Sequence, residues 1–262
     1  MILRAPGVEA VVEPEAGGRV ASLRVDGTEL LVTERTGVFE WGLFPMVPWA
    51  GRVRRGRFAF DGVEHQLPLA MPPHAIHGTT PDRRWEVADA TEDACELVVD
   101  LGPDWPFAGR ARHGIRLGDG RLDLTLEVEA TADPFPASVG WHPWFRRHLD
   151  RGGPVALQLD AGAMWARDAE GIPSGHLLRP PPPPPWDDCF TELAQPPTLR
   201  WPGALTLTVR SPCPDVVVYD EPAHALCVEP QTGPPDALNL RPEVVAPGRP
   251  LRAGAALTWA LA

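Results

Sequence analysis

With 262 residues, 44% of them hydrophobic, the chain is long enough to build a substantial core. Its formal charge of −11 argues against a nucleic-acid footprint or docking on anionic lipid, and no apolar run reaches the ~18 residues of a membrane-spanning helix. All 24 basic side chains are arginine, which excludes chemistry through a lysine Schiff base.

From the N-terminus onward, Met1–Gly7 carries no charged region leading into an apolar stretch, so no secretory signal is expected and the cytoplasm is the expected location. In that compartment the dispersed Cys95, Cys189, Cys213 and Cys227 are expected as reduced, mostly buried thiols. Strands are predicted at 8–12, 84–89 and 94–101, with tight hairpins at Asp26-Gly27, Asp61-Gly62 and Asp119-Gly120, where glycine accepts the positive φ such turns demand. Leu122, Leu124, Leu126 and Val128 alternate with Asp123, Thr125, Glu127 and Glu129, the period of a half-buried strand. The run Pro180–Pro185 is expected to be a rigid surface loop rather than a linker, because strand patterning continues on both sides of it. Leu205, Leu207 and Val209 repeat the alternation, and further strands are predicted at 215–219, 225–229 and 256–261. The 33 prolines leave little room for helices, and no amphipathic helix of three turns is predicted. Many short strands with turn signals between them indicate an all-β sandwich or barrel, read as a single domain over residues 1–262.

Histidine and carboxylate positions are the candidates for chemistry. His65, His113, His148, His176 and His224 stand without special company and are expected to be structural or surface residues. His77 tops a turn-rich loop, and His142 sits among Trp141, Pro143, Trp144 and Phe145, an aromatic setting of the kind that lines ligand pockets. A hydrogen-bonded core histidine remains the alternative for His142. Glu229 follows the apolar run Ala225–Val228, where a carboxylate is costly unless paired or functional, and partial burial would raise its pKa toward that of a general base. Asp187 and Asp188 follow the proline run, with loop capping as the simple alternative. There is no H-E-x-x-H, no Cys/His cluster at ligand spacing, no G-x-G-x-x-G, no P-loop and no G-x-S-x-G elbow, so neither a metal nor a nucleotide cofactor is expected.

Five segments, in order and spanning nearly the whole chain, resemble the aldose 1-epimerase (galactose mutarotase) family. They are Pro48–Val53 with Gly56-Arg57-Phe58; His77-Gly78 before Trp85-Glu86-Val87; Gly140–Phe145; Trp186–Phe190; and Cys227–Thr232. The resemblance implies a mostly antiparallel galactose mutarotase-like β-supersandwich with a sugar cleft on one sheet face. It implies that Glu229 is the general base on the anomeric hydroxyl, that His142 is the general acid on the ring oxygen, and that His77 is a second active-site histidine. It further implies that Arg52 and Asp187 hydrogen-bond sugar hydroxyls. The chain departs from the family pattern at Gly51, where asparagine is usual, at Trp144, where tyrosine is common, and at Thr79, where a second glycine is usual.

The expected function is therefore mutarotation of a free hexose, by a monomer or weak homodimer that binds neither nucleic acid nor membrane. Three alternatives stay open. A hexose-6-phosphate mutarotase would draw on Arg52, Arg54, Arg55 and Arg57 as a phosphate clamp. A non-catalytic sugar sensor would share the fold, and a glycoside hydrolase or lyase would pair Glu229 with Asp187.

Overall fold

In a computed structural model that describes all 262 residues, the strand Arg121–Ala130 buries Leu122, Leu124, Leu126 and Val128 and turns the intervening polar residues toward solvent. The Asp119-Gly120 turn joins it antiparallel to Gly109–Gly118, and Leu251–Leu261 pairs along its other edge. The remaining Asp-Gly pairs also sit where predicted. Asp26-Gly27 links Arg19–Val25 to Thr28–Glu29, and Asp61-Gly62 links Arg57–Phe60 to Val63–Gln66. Both residues of each pair adopt positive φ (48° and 76°, 49° and 76°), which matches the right-handed twist of the flanking strands.

Seventeen strands form one curled antiparallel sheet, and three further two-stranded pairs decorate it. One contiguous cluster of 53 buried residues, running from Leu3 to Leu257, fills the space between the layers. The α-helical content is a single four-residue turn, Ala237–Leu240. The Pro180–Pro185 run is an exposed loop between Pro173–Leu178 and Asp187–Trp201, and both of these strands pair with Ala156–Arg167. It is a connection within one sheet, as the continuous patterning implied. All four cysteines are free thiols, and all but Cys213 are buried.

Three neighbouring strands, Leu43–Met46, Gly140–Arg146 and Ala225–Gln231, position the cleft described below. Each contains one proline: Pro45, Pro143 and Pro230. The strand expected to stop before Pro230 instead continues through it to Gln231, because a proline in a sheet forfeits only its own N–H. The ladder between Gly140–Arg146 and Ala225–Gln231 is registered at Gly140↔Gln231 and resumes at Trp144↔Cys227, with the two prolines in the gap. A smaller buried cluster that includes Trp41, Phe44, Met46, Trp144 and Cys227 packs on the cleft side of these strands.

His113 shows how the core settles a polar residue. It is fully buried, its Nδ1 lies 3.0 Å from the Gly18 carbonyl, and its Nε2 accepts from Trp141 Nε1 at 3.1 Å. This fixes a neutral tautomer, because a second ring proton would face the indole N–H. Burial lowers the His113 pKa to about 4. An unfolded histidine titrates near 6.5, so the unfolded chain binds the extra proton first and stability falls as pH drops. We expect His113 alone to withdraw about 3 kcal/mol between about pH 7 and pH 4, measured by urea unfolding, and His113→Gln to flatten that limb while lowering stability at neutral pH.

Candidate active site

The alternation of Ala225–Gln231 sends Leu226 and Val228 into the core, which leaves Cys227, Glu229 and Gln231 on the opposite face. Gly140–Arg146 likewise commits Trp141 and Phe145 to the core and sets His142 and Trp144 beside Glu229. Glu229 is 2% exposed and His142 5%, and Glu229 Oε1 lies 3.3 Å from His142 Nε2. Gln231 Nε2 donates to the other carboxylate oxygen at 3.3 Å. The His142 ring is clamped between Phe44 (centroids 5.0 Å apart, 21° between planes) and Trp144 (5.2 Å, 7°), so its orientation is set by packing.

His77 arrives from a loop by way of an uncommon backbone conformation. It has φ 57°, and its N–H donates to Gly51 O at 3.1 Å. The next residue must be glycine, since a Cβ on Gly78 would stand 1.8 Å from the Val47 carbonyl oxygen. The imidazole of His77 meets that of His142 edge-on, 5.1 Å between centroids. At the rim, Arg52 donates to Asp187 at 3.1 Å, while Arg167 bonds Asp188 at 2.6 Å and lies 3.7 Å from Asp187. Three buried polar atoms at the cleft floor, Nδ1 of His77, Nδ1 of His142 and Oε1 of Gln231, have no hydrogen-bond partner. The indole N–H groups of Trp49, Trp85 and Trp105 are likewise unpartnered elsewhere in the core, but these three polar atoms share the cleft, where a ligand could meet them.

Burial dominates the electrostatics. It drives the Glu229 carboxyl well above its usual range, with the nearby Asp187 charge adding to the rise and Arg52 and Gln231 opposing it. Burial also lowers His142 to about 3, helped by the positive charges of Arg19 and Arg52. His77 is lowered well below its usual value by burial, then by His142 and Arg52. Both members of the Glu229–His142 pair resist carrying charge alone, and their contact lets them hold one proton between them, either as acid plus imidazole or as carboxylate plus imidazolium. The titration belongs to the pair.

All five residues singled out from the sequence, Arg52, His77, His142, Asp187 and Glu229, line one cleft of about 500 Å³. Trp144, Tyr219 and Phe39 provide aromatic surface along it. Asp187 and Asp188 open a strand rather than cap a loop. Gln231 was missed because the strand was expected to stop before Pro230; in the structure it is the second residue after Glu229 on the same strand face. Arg167 and Arg19 carried no local signal. Arg19 is 1% exposed and donates to the carbonyls of Ala16, Val38, Trp41 and Pro81, lying 4.1 Å from the Trp41 centroid and 5.1 Å from that of Phe44.

The departures from the family pattern also find physical explanations. A Cβ on Gly51 would meet Pro235 at 2.9 Å, so proline occupies the space a side chain would take. Thr79 Oγ1 bonds the Leu101 carbonyl at 2.8 Å, and Trp144 Nε1 bonds the Phe39 carbonyl at 2.7 Å. The arginine group divides among carboxylates: Arg52 with Asp187, Arg54 with Asp168 and Glu170, Arg55 with Glu170, and Arg57 with Glu64. One set of possible metal ligands exists, in which donor atoms of His142, Cys227 and Glu229 all lie within 4.8 Å of one another. Sequence spacing hid it because the donors come from two strands distant in the chain.

Comparison with known proteins agrees with this geometry. A family model described as aldose 1-epimerase matches residues 2–261. The chain is 30% identical over 136 residues to the uncharacterized protein YphB of Escherichia coli (strain K12), covering 50% of this chain and 47% of that protein. The curated relatives are thus matched over about half their length. A galactose mutarotase-like protein from Clostridium acetobutylicum superimposes with a TM-score of 0.88 at 16% identity, over 100% of this chain and 95% of that one. A galactose 1-epimerase from Lactobacillus acidophilus superimposes with a TM-score of 0.81 at 17% identity, over 98% and 92%. The fold is therefore the galactose mutarotase-like β-supersandwich expected from the sequence.

Arg19 offers a test of how the cleft is held together. Arg19→Met removes every donor to four carbonyls while keeping the aliphatic stem. We expect it to cost about 3 kcal/mol or more in urea unfolding, because buried acceptors lose their partners.

Proposed function

Because the chain belongs to the aldose 1-epimerase family, we propose that it is a mutarotase, an isomerase that interconverts the α and β anomers of a free hexose by acid/base ring opening. The observation that carries this reading is the buried contact of 3.3 Å between Glu229 and His142 on the floor of an aromatic-walled cleft. In the carboxylate–imidazolium form, Glu229 takes the proton of the anomeric hydroxyl while His142 gives its proton to the ring oxygen. The C1–O5 bond breaks, and C1 becomes an aldehyde. The pair is left as carboxylic acid and neutral imidazole, still with one proton. Rotation about C1–C2 presents the other carbonyl face, and the reverse transfers close the ring as the other anomer. Each half-reaction converts one form of the pair into the other, so a site that holds one proton serves both directions.

His77, packed edge-on against His142, is placed to orient the ring oxygen and anomeric centre. Arg52 and Asp187 at the rim hydrogen-bond sugar hydroxyls, and the partly exposed rings of Phe39 and Tyr219 face its apolar surface. Each of Arg52, Arg54, Arg55 and Arg57 is engaged with a carboxylate, which supports a neutral sugar over a hexose 6-phosphate. Asp187 is engaged by two arginines, which supports a binding role over that of a second hydrolytic carboxylate. A passive sensor has no need of a buried acid/base pair, whose isolation from water is a cost to stability. We read residues 1–262 as one domain on the strength of the contiguous core, with a cytoplasmic location and a monomeric or weakly dimeric state as parts of the same proposal. No helix is long and apolar enough to cross a membrane.

Polarimetry on freshly dissolved α-D-glucose and α-D-galactose tests the activity directly. The expected result is a faster approach to an unchanged final rotation, and no acceleration with either sugar would overturn the reading for these hexoses. Glu229→Gln keeps the shape and removes the base, so kcat is expected to fall about 10²–10⁴-fold with KM little altered. The pH profile of kcat/KM is expected to be bell-shaped around the one-proton state. With His142 lowered and Glu229 raised, the acid limb, where the pair takes a second proton, is expected well below the ordinary histidine range. The alkaline limb, where the last proton leaves, is expected well above the ordinary carboxylate range.

A further inference from the structure

The face of Ala225–Gln231 that carries Glu229 also carries Cys227, two residues earlier, and this thiol has no part in the acid/base scheme. It is fully buried, opposite Trp144 in the ladder. Its sulfur, His142 Nε2 or Nδ1 and a Glu229 oxygen all lie within 4.8 Å of one another. We propose that His142, Cys227 and Glu229 form a Zn²⁺ site on the cleft floor, and that zinc bound there blocks turnover.

The geometry is close to what zinc requires. Tetrahedral ligands about 2.0–2.3 Å from the metal stand about 3.3–3.8 Å from each other. The separation of 3.3 Å between His142 Nε2 and Glu229 Oε1 already meets that spacing. The thiol needs to close by at most about 1.5 Å to reach it. The imidazole is held rigid between Phe44 and Trp144, so its nitrogen is presented at a fixed angle. One sulfur, one nitrogen and one oxygen donor favour zinc over magnesium or calcium, which prefer all-oxygen shells.

Charge balance favours occupancy as well. Zn²⁺ enters as two protons leave for solvent, one shared by Glu229 and His142 and one from the Cys227 thiol. The buried site therefore keeps its net charge, and no isolated ion is left in an apolar setting. Three protein ligands leave the fourth tetrahedral position open. Inhibition rests on the proposed acid/base roles, since zinc would occupy the lone pairs that accept the reacting protons. The binding site itself does not depend on that reading.

The test is titration of the full chain with Co²⁺ and Zn²⁺ in metal-free, reduced solution, followed by absorption and polarimetry together. One Co²⁺ per chain is expected, with a sulfur-to-cobalt charge-transfer band and the intense visible bands of a four-coordinate site, displaced by Zn²⁺ but not by Mg²⁺. Mutarotation is expected to fall in step with Zn²⁺ occupancy. Cys227→Ser and Cys227→Ala should each keep the metal-free rate, lose the charge-transfer band and bind Zn²⁺ roughly 100-fold more weakly or worse. Cys189→Ala, a change in the other buried thiol nearby, should retain both the band and the affinity. An active enzyme with no charge-transfer band, or Zn²⁺ affinity indifferent to Cys227, overturns the site and leaves the mutarotase reading intact. A Cys227-dependent band in a protein that never accelerates mutarotation overturns that reading and leaves the site standing. Full turnover with the site filled overturns the inhibition and the roles given to Glu229 and His142.

Discussion

A pleated strand sends successive side chains to opposite faces, and three adjacent strands here use that constraint to divide a dry core from a polar cleft. Trp141 and Phe145 serve one side, His142 and Trp144 the other; Leu226 and Val228 serve one side, Glu229 and Gln231 the other. A slip of one residue in either register would exchange the two sets and put a carboxylate into the core. Burial of large apolar residues thus holds Glu229 and His142 in position. Pro143 and Pro230 lie in a gap of the ladder beside the pair, while pairing through Pro45 is unbroken, and aromatic rings pack against His142 there.

Burial sets the chemistry as well as the position. Desolvation raises Glu229 and lowers His142, so charge is tolerated only in combination, and their contact provides the combination. Arg19 adds a fixed positive charge on the far side of Phe44 while four backbone carbonyls absorb its hydrogen bonds. One side chain therefore ties together the segments at Ala16, Val38, Trp41 and Pro81 and biases the protonation of His142.

The cleft is framed by loops whose backbone leaves little freedom. His77 sits in the left-handed region, Gly78 passes against the Val47 carbonyl, and the imidazole meets that of His142 edge-on. Gly51 leaves room that Pro235 fills, so a surface that could have offered an amide is instead apolar. Arg54 and Arg55 bind Asp168 and Glu170 across the rim, linking the segment after Gly51 to the end of the strand Ala156–Arg167.

Much of this was legible from the residues in order. Period-2 alternation and Asp-Gly turns are local signals, since strand faces and tight turns are decided within a few residues, and they located the strands and the hairpins. The same locality made Glu229 stand out at the end of an apolar run, and the resemblance to a known family supplied the roles proposed for His77, His142, Arg52 and Asp187. Pro230 misled for a local reason: it reads as a strand end, yet the sheet loses only one donor there. Other features depend on partners far apart in the chain. The contact of Glu229 with His142, the four carbonyls around Arg19, the filling of the space beside Gly51 by Pro235 and the approach of Cys227 to His142 exist only once strands pair. The size of each pKa shift belongs to this second group, because it follows from how completely the folded chain removes water, and no single residue carries that information.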